Sequence, residues 1–123
     1  MQDYISHTIN RSVIVLLPRM AAYNWIMSID PAPSNLTLEE LRREPDAFLV
    51  REDRVELPEQ AERWIYRRWE MFFEKFLEDW YTDESTWPQK RSLKMFKEWF
   101  EVQYCPLVWD MAKEVPLGHQ DWD

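Results

Sequence analysis

The chain has one glycine, one cysteine and two histidines in 123 residues, and its longest apolar run is only Val13 to Leu17. Each shortage excludes something. Loops that cradle a phosphate or a dinucleotide need several glycines so that backbone can approach the ligand, and the strand-to-helix elbow that presents a catalytic serine needs glycine on both sides of it. Gly118 alone supports neither. A single cysteine rules out an intrachain disulfide framework and a multi-cysteine zinc site, and it fits a reducing compartment. His7 and His119 fall in segments that read as chain ends, so neither is placed to act as a base for Cys105. Cys105, followed by Pro106 in an apolar stretch, reads as a buried, inert thiol. The apolar run is far shorter than the roughly 20 residues of a spanning helix, and the first residues lack the pattern of a signal peptide. The glycosylation triplets Asn10-Arg11-Ser12 and Asn35-Leu36-Thr37 mean nothing without secretion, so the protein reads as cytoplasmic.

What the chain has in quantity is aromatic surface and acid. It carries eight tryptophans, six phenylalanines and five tyrosines, with 23 acidic and 15 basic side chains for a net charge of −8. At 46% hydrophobic residues it has enough apolar surface to offset chain entropy, so one folded domain over residues 1–123 is expected. The negative charge argues against a generic nucleic-acid binder, whose affinity is built from Lys and Arg on phosphates, and against docking on anionic lipid.

Along the chain, residues 1–10 read as an N-terminal arm and 115–123 as a flexible tail. Ser12–Leu17 is a β-branched strand run stopped by Pro18, and Ala47–Val50 is a second strand. Between them Ala22, Trp25, Ile26 and Ile29 share a helical face, the prolines of 30–33 break it, and Thr37 with Glu40 forms a capping box for a helix to Arg43. Pro58 to Trp80 reads as one long helix, proline in its first turn, striped by Ala61, Ile65, Trp69, Phe72, Phe76 and Trp80. Lys90 to Trp99 is a further short helix with Leu93 and Phe96 inward and Lys90, Lys94 and Lys97 outward. Phe100, Val102 and Tyr104 alternate at strand period; after Cys105-Pro106 the parity flips to Leu107, Trp109 and Met111, as at a β-bulge. This order predicts an α+β domain: a small sheet of about three strands covered by one long helix and shorter helices, with a crossover between the first two strands long enough for parallel pairing.

The stretch Trp80-Tyr81-Thr82-Asp83-Glu84-Ser85-Thr86-Trp87-Pro88, then Arg91, Met95-Phe96, Trp99-Phe100 and Val108-Trp109-Asp110, resembles a pattern in short, acidic, uncharacterised bacterial proteins. Asn10 to Val15 followed by Pro18 and Trp25 is similar as well. The resemblance implies a compact bacterial protein and brings no activity, cofactor or catalytic residue with it.

Three functional readings are open. The first is a non-catalytic protein–protein interaction module, binding a partner or itself through aromatic surface at Trp80 and Trp87 and the basic row Lys90, Arg91, Lys94 and Lys97. Trp25, Trp64 or Trp69, Trp99 and Trp109 can be assigned to core faces, whereas Trp80, Trp87 and Trp122 sit at a helix end, in a polar loop and in the tail. The competing reading of Trp80 and Trp87 folds them back as a lid over the sheet. The second function is a metal-assisted hydrolase using the carboxylates of Asp79, Asp83 and Glu84 with Asp110. The third is an acidic nucleic-acid mimic, against which the lysines and arginines spaced along the helices count. No catalytic residue and no cofactor is implied by the first reading.

Overall fold

The structure, a computed structural model, describes residues 7–30, 35–112 and 114–120. In chain order it runs His7–Thr8 (β1), Arg11–Pro18 (β2), Met20–Ile29 (α1), Leu38–Arg43 (α2), Asp46–Arg51 (β3), Pro58–Tyr66 (α3), Trp69–Trp80 (α4), a 3₁₀ turn Glu84–Thr86, Leu93–Trp99 (α5), Phe100–Cys105 (β4) and Trp109–Asp110 (β5). The result is an α+β fold with a three-stranded sheet in the order β3-β2-β4 and a separate two-stranded ribbon of β1 and β5. Among the described residues no helix is long and apolar enough to cross a membrane.

The β-branched run predicted as a strand becomes the centre of the sheet, but its partnership with β3 is antiparallel, not parallel. β2 ends at Pro18 and β3 begins at Asp46 opposite Leu16, so the excursion through α1 and α2 leaves and returns at the same end of the sheet. Arg42, in the last turn of α2, fastens that return. Its Nη1 donates to the Pro18 carbonyl at 3.0 Å and its Nη2 pairs with Glu101 of β4 at 2.7 Å. A parallel pairing needs the connection to travel the length of the strand; here α1 and α2 pack on one another instead. The helix α2 itself is capped by Thr37, whose hydroxyl accepts from the Glu40 amide at 3.1 Å; the Glu40 carboxylate accepts from that hydroxyl at 3.3 Å instead of completing the expected capping box.

Strand period sorts the sheet into two faces. Register sets Ile14 between Phe48 and Tyr104, and Leu16 between Asp46 and Val102. This face carries Ile14, Leu16, Val50 and Phe100 into the core. The opposite face, with Val13 between Leu49 and Cys105, lies open: Leu49 and Cys105 are both exposed. The expectation that Cys105 is buried is therefore wrong, because its place in the alternation puts it on the opposite face from Phe100, Val102 and Tyr104.

The long helix is also divided. Helical geometry stops after Tyr66 and resumes at Trp69, and Arg68 sits at φ −119°, ψ 23°, outside the helical region. Arg68 stabilises the break: its guanidinium donates to the Trp64 carbonyl at 3.0 Å and lies 4.0 Å from the centre of the Trp64 ring. The apolar side chains of 58–80 wrap nearly around the helix, more than one straight rod can bury on a single face. The break resolves this by letting α3 pack on β4 while α4 lies across the sheet and against α5. Ring contacts mark the α4 seat: Phe72 on Phe48 of β3 at 4.8 Å and Phe76 on Phe100 of β4 at 4.9 Å. Met71, which no surface covers, remains exposed.

Phe73 is completely buried at the centre of an aromatic core. Its ring centre is 4.9 Å from Trp99, 5.8 Å from Phe96 and 5.9 Å from Phe100, tilted or edge-on in every case, as the ring quadrupole favours. Helix α5 starts later than its charge pattern predicts, at Leu93, because Ser92 caps it by accepting from the Met95 amide at 3.1 Å.

Beyond Pro106 the predicted continuation of the last strand is replaced by the ribbon. Thr8 faces Trp109 and His7 faces Asp110, so part of the expected arm is a strand. Between the pairs Val13–Cys105 and Thr8–Trp109, residues 9–12 face 106–108, so the extra residue lies in the N-terminal segment and not in the last strand, where the parity flip predicts a bulge. The buried Ser12 hydroxyl donates to the Pro106 carbonyl at 3.2 Å and anchors the crossing point. The tail over 114–120 has no helix or strand and is exposed throughout.

Candidate functional site

Sequence reasoning pointed first to the loop after α4, and the structure gives that loop a structural role. Trp87 is only 8% exposed and its indole N–H donates to the Tyr81 carbonyl at 2.8 Å. The Tyr81 hydroxyl donates to the Ile26 carbonyl of α1 at 2.8 Å, and the Trp25 indole of α1 donates back to the Thr86 carbonyl at 3.0 Å. Burial, assisted by the charge of Asp30, pushes the Tyr81 phenol above its ordinary range and keeps its proton in place as a donor. The loop is thus a lid held to α1, and Trp87 is a core residue instead of a docking residue. Trp80 is half-buried. Trp122 lies outside the described residues.

Arg91 belongs to the same lid. It donates to the Pro88 carbonyl at 2.8 Å, reaches Glu74 of α4 at 3.5 Å and stands 5.7 Å from the centre of the Trp87 ring. Lys90, Lys94 and Lys97 remain exposed, as their helical spacing predicts. Lys97 has its ammonium 4.8 Å from the Tyr66 ring, which joins the basic side of α5 to α3. These cations, with Arg63 and Arg67 of α3, interrupt the negative surface.

The proposed metal ligands do not come together. Asp79 is paired with Lys75 at 2.8 Å. Asp83 accepts from the amide and the hydroxyl of Ser85, at 3.0 and 2.7 Å, and those bonds hold its carboxyl below the usual range. Asp110 accepts from the Ala112 amide at 2.9 Å in the distant ribbon. Among the described residues no three His, Cys, Asp or Glu side chains converge as a metal ion needs. The carboxylates of Asp79, Asp83 and Asp110 are each committed to a local turn or ion pair, and Glu84 is exposed in the 3₁₀ turn, away from any such cluster.

Trp80 and Asp79 instead border a pocket of about 230 Å³ between α4 and the α2–β3 corner, walled by Leu16, Phe72, Phe76 and Phe100. Lys75 crosses its mouth, 2.8 Å from Asp79 and 3.3 Å from Asp46. Burial opposes the charge of Lys75, but the hydrogen bonds and charges of Asp79 and Asp46 outweigh it and hold the ammonium above its ordinary pKa. A cationic Lys75 is a strap between α4 and β3, and the pocket joins an aromatic wall to a charged edge of Glu44, Asp46, Lys75 and Asp79 in which the lysine is held protonated and so is no nucleophile.

The largest stretch of uncovered apolar side chains lies elsewhere. Leu107, Trp109, Met111, Val115 and Leu117, between 52% and 66% exposed, follow one another along the ribbon and tail. The expectation of a core face for Trp109 is not met: the bend at Pro106 carries it, with Leu107 and Met111, away from the core. No protein-family model matches the chain, and neither a curated protein nor a solved structure matches it.

Proposed function

We propose that the chain is a non-catalytic protein–protein interaction module of the cytoplasm, docking through the apolar side chains of Leu107 to Leu117. The observation that carries this reading is that Leu107, Trp109, Met111, Val115 and Leu117 are each more than half exposed, while the core is closed without them. Exposed Trp, Met and Leu in one place are what a partner surface buries, and a half-exposed tryptophan is the residue type most often dominant in such contacts. The ribbon pairs only β1 with β5, so it presents these side chains at the margin of the domain. The exposed Lys94 and Lys97 of α5, with Lys90 just before it, supply a charged surface for an acidic rim on a partner.

The test compares the wild-type chain with Leu107→Ser/Trp109→Ser by sedimentation across a range of concentrations and by affinity capture from a bacterial lysate. Loss of self-association, or of a captured partner, in a variant that unfolds at the wild-type temperature supports the reading. A wild-type protein that stays monomeric and captures nothing, or a variant that associates as the wild type does, overturns it.

A further inference from the structure

We propose that the pocket between the loop after β3 and the outer face of α3 is a binding site for a phosphomonoester dianion. The pocket, about 250 Å³ and open to solvent, is lined by Arg54, Gln60, Arg63, Trp64 and Arg67. Three of its five lining residues are arginines and none is an acid, in a chain whose acids outnumber its bases by 23 to 15. Arg67, which caps α3 in right-handed helical geometry, stands one turn after Arg63, its amide on the Arg63 carbonyl at 3.0 Å, so their side chains share a face, and Arg54 approaches from the turn closed by its amide on the Arg51 carbonyl at 3.1 Å.

The acids near this pocket leave it cationic. Among the described residues the ion pairs involve Arg42, Arg43, Arg51, Arg91 and Lys75, and none involves Arg54, Arg63 or Arg67. Asp53, beside Arg54 in sequence, is held by both ends of the Arg51 guanidinium at 3.0 and 2.7 Å. Glu62 accepts from the Tyr66 hydroxyl at 3.4 Å. Asp53 also acts on Arg54 through its charge, but among the described residues no carboxylate is ion-paired to any of the three guanidinium groups; they repel one another, and a ligand that accepts from all of them removes that repulsion.

The rest of the lining is arranged to hold a ligand. Gln60 uses its side-chain oxygen to accept from the Glu56 and Leu57 amides at 2.7 and 2.9 Å, which fixes the amide group and leaves its NH₂ as a donor. Trp64 is held by Arg68, whose guanidinium lies 4.0 Å from the ring centre and donates to the Trp64 carbonyl at 3.0 Å. Phosphate is the anion that fits. Guanidinium forks match its oxygens two at a time, its three terminal oxygens can engage several arginines together, and its double charge answers a pocket that a single carboxylate would leave cationic. The phosphomonoester can be carried by a protein side chain or by a small molecule.

The test is an NMR titration of the full chain, following the Trp64 indole and the arginine Nε–H signals, with phenyl phosphate and phenyl sulfate at matched ionic strength. Saturable shifts at these signals, with phenyl phosphate at least fivefold tighter than the singly charged sulfate, are expected. Arg63→Gln/Arg67→Gln should weaken phenyl phosphate tenfold or more, whereas Lys94→Gln/Lys97→Gln, which removes the same charge from α5, should leave it within twofold. Arg54→Gln, outside the helix, gives an independent loss if the double variant fails to fold. A phosphoserine peptide binding tenfold tighter than free phosphoserine makes a protein segment the source; equal binding makes it a small phosphate ester. Shifts that do not saturate, or a loss as large in the α5 variant as in the α3 variant, overturn the proposal.

Discussion

Replacing Trp87 with alanine separates a lid from a docking surface. If the loop after α4 were an exposed patch, the substitution would change stability by no more than about 0.5 kcal/mol. The structure instead makes Trp87 8% exposed, with its N–H on the Tyr81 carbonyl at 2.8 Å. Truncating a buried tryptophan costs about 3–5 kcal/mol, and within that sum the lost hydrogen bond contributes about 1 kcal/mol. The Tyr81 and Trp25 bonds to the same segment survive the change and allow the loop to settle partly into the space, so the lower end, about 3 kcal/mol, is expected. That is a large share of the 5–15 kcal/mol of a typical domain. Urea unfolding followed by far-UV circular dichroism measures it, with Trp109→Ala as the comparison. Trp109 is 52% exposed on the ribbon, and its loss should cost no more than about 1 kcal/mol. A Trp87→Ala cost below 1 kcal/mol at unchanged m-value, or a Trp109→Ala cost equal to it, would refute the assignment of Trp87 to the core and Trp109 to the surface.

Cys105 on the open sheet face should react with a thiol reagent in the native state at a rate close to that of the unfolded chain; labelling that waits for denaturant would contradict the open face. Arg42→Ala should cost about 1–2 kcal/mol at neutral pH, because it removes charge-assisted bonds to the Pro18 carbonyl and to Glu101. The pH dependence follows from the hydrogen bond to Arg42, which holds the Glu101 carboxyl below its ordinary range. A depressed folded pKa means that the Glu101 contribution is complete above the ordinary carboxylate pKa and disappears as the pH falls through the folded value. Wild type and Arg42→Ala should therefore approach one another in stability toward acid, and denaturation curves that stay parallel down to low pH would exclude Glu101 as the partner that matters. Phe73→Ala, at the fully buried centre of the ring cluster, should cost about 3–5 kcal/mol by the same measurement, and a cost under 2 would mean that the core is loosely packed.

Several features of the fold were legible because they depend on neighbours in sequence. The N-cap at Thr37, proline at the first turn of α3, the central β-branched strand and the inward face of α1 all follow from local sterics, local hydrogen bonds and periodicity. The same holds for the exposed Lys94 and Lys97 of α5. Cys105 was also legible by parity, since it alternates with Tyr104, but its apolar neighbours outweighed that signal. The arginines of the α3 pocket carried one readable sign, the i, i+4 spacing of Arg63 and Arg67; Arg54, from a loop several residues earlier, could be added only in three dimensions.

By itself, then, the sequence determined the class of the domain, an α+β fold with a large aromatic core, because periodicity and amphipathic faces act over a few residues. Tertiary structure decided what those faces meet. The direction of the β2–β3 pairing depends on α1 packing on α2, so that the chain returns to the end of the sheet it left, and the break at Arg67–Arg68 depends on how much apolar surface the sheet and α5 can cover. Tryptophans separated in function for the same reason. Trp87 and Trp109 both stand next to loops, yet the carbonyl of Tyr81 and the surface of α1 give the first a place to bury, and the turn at Pro106 carries the second away from any. Burial depends on which surfaces arrive opposite a side chain, and that is set by residues far away along the chain.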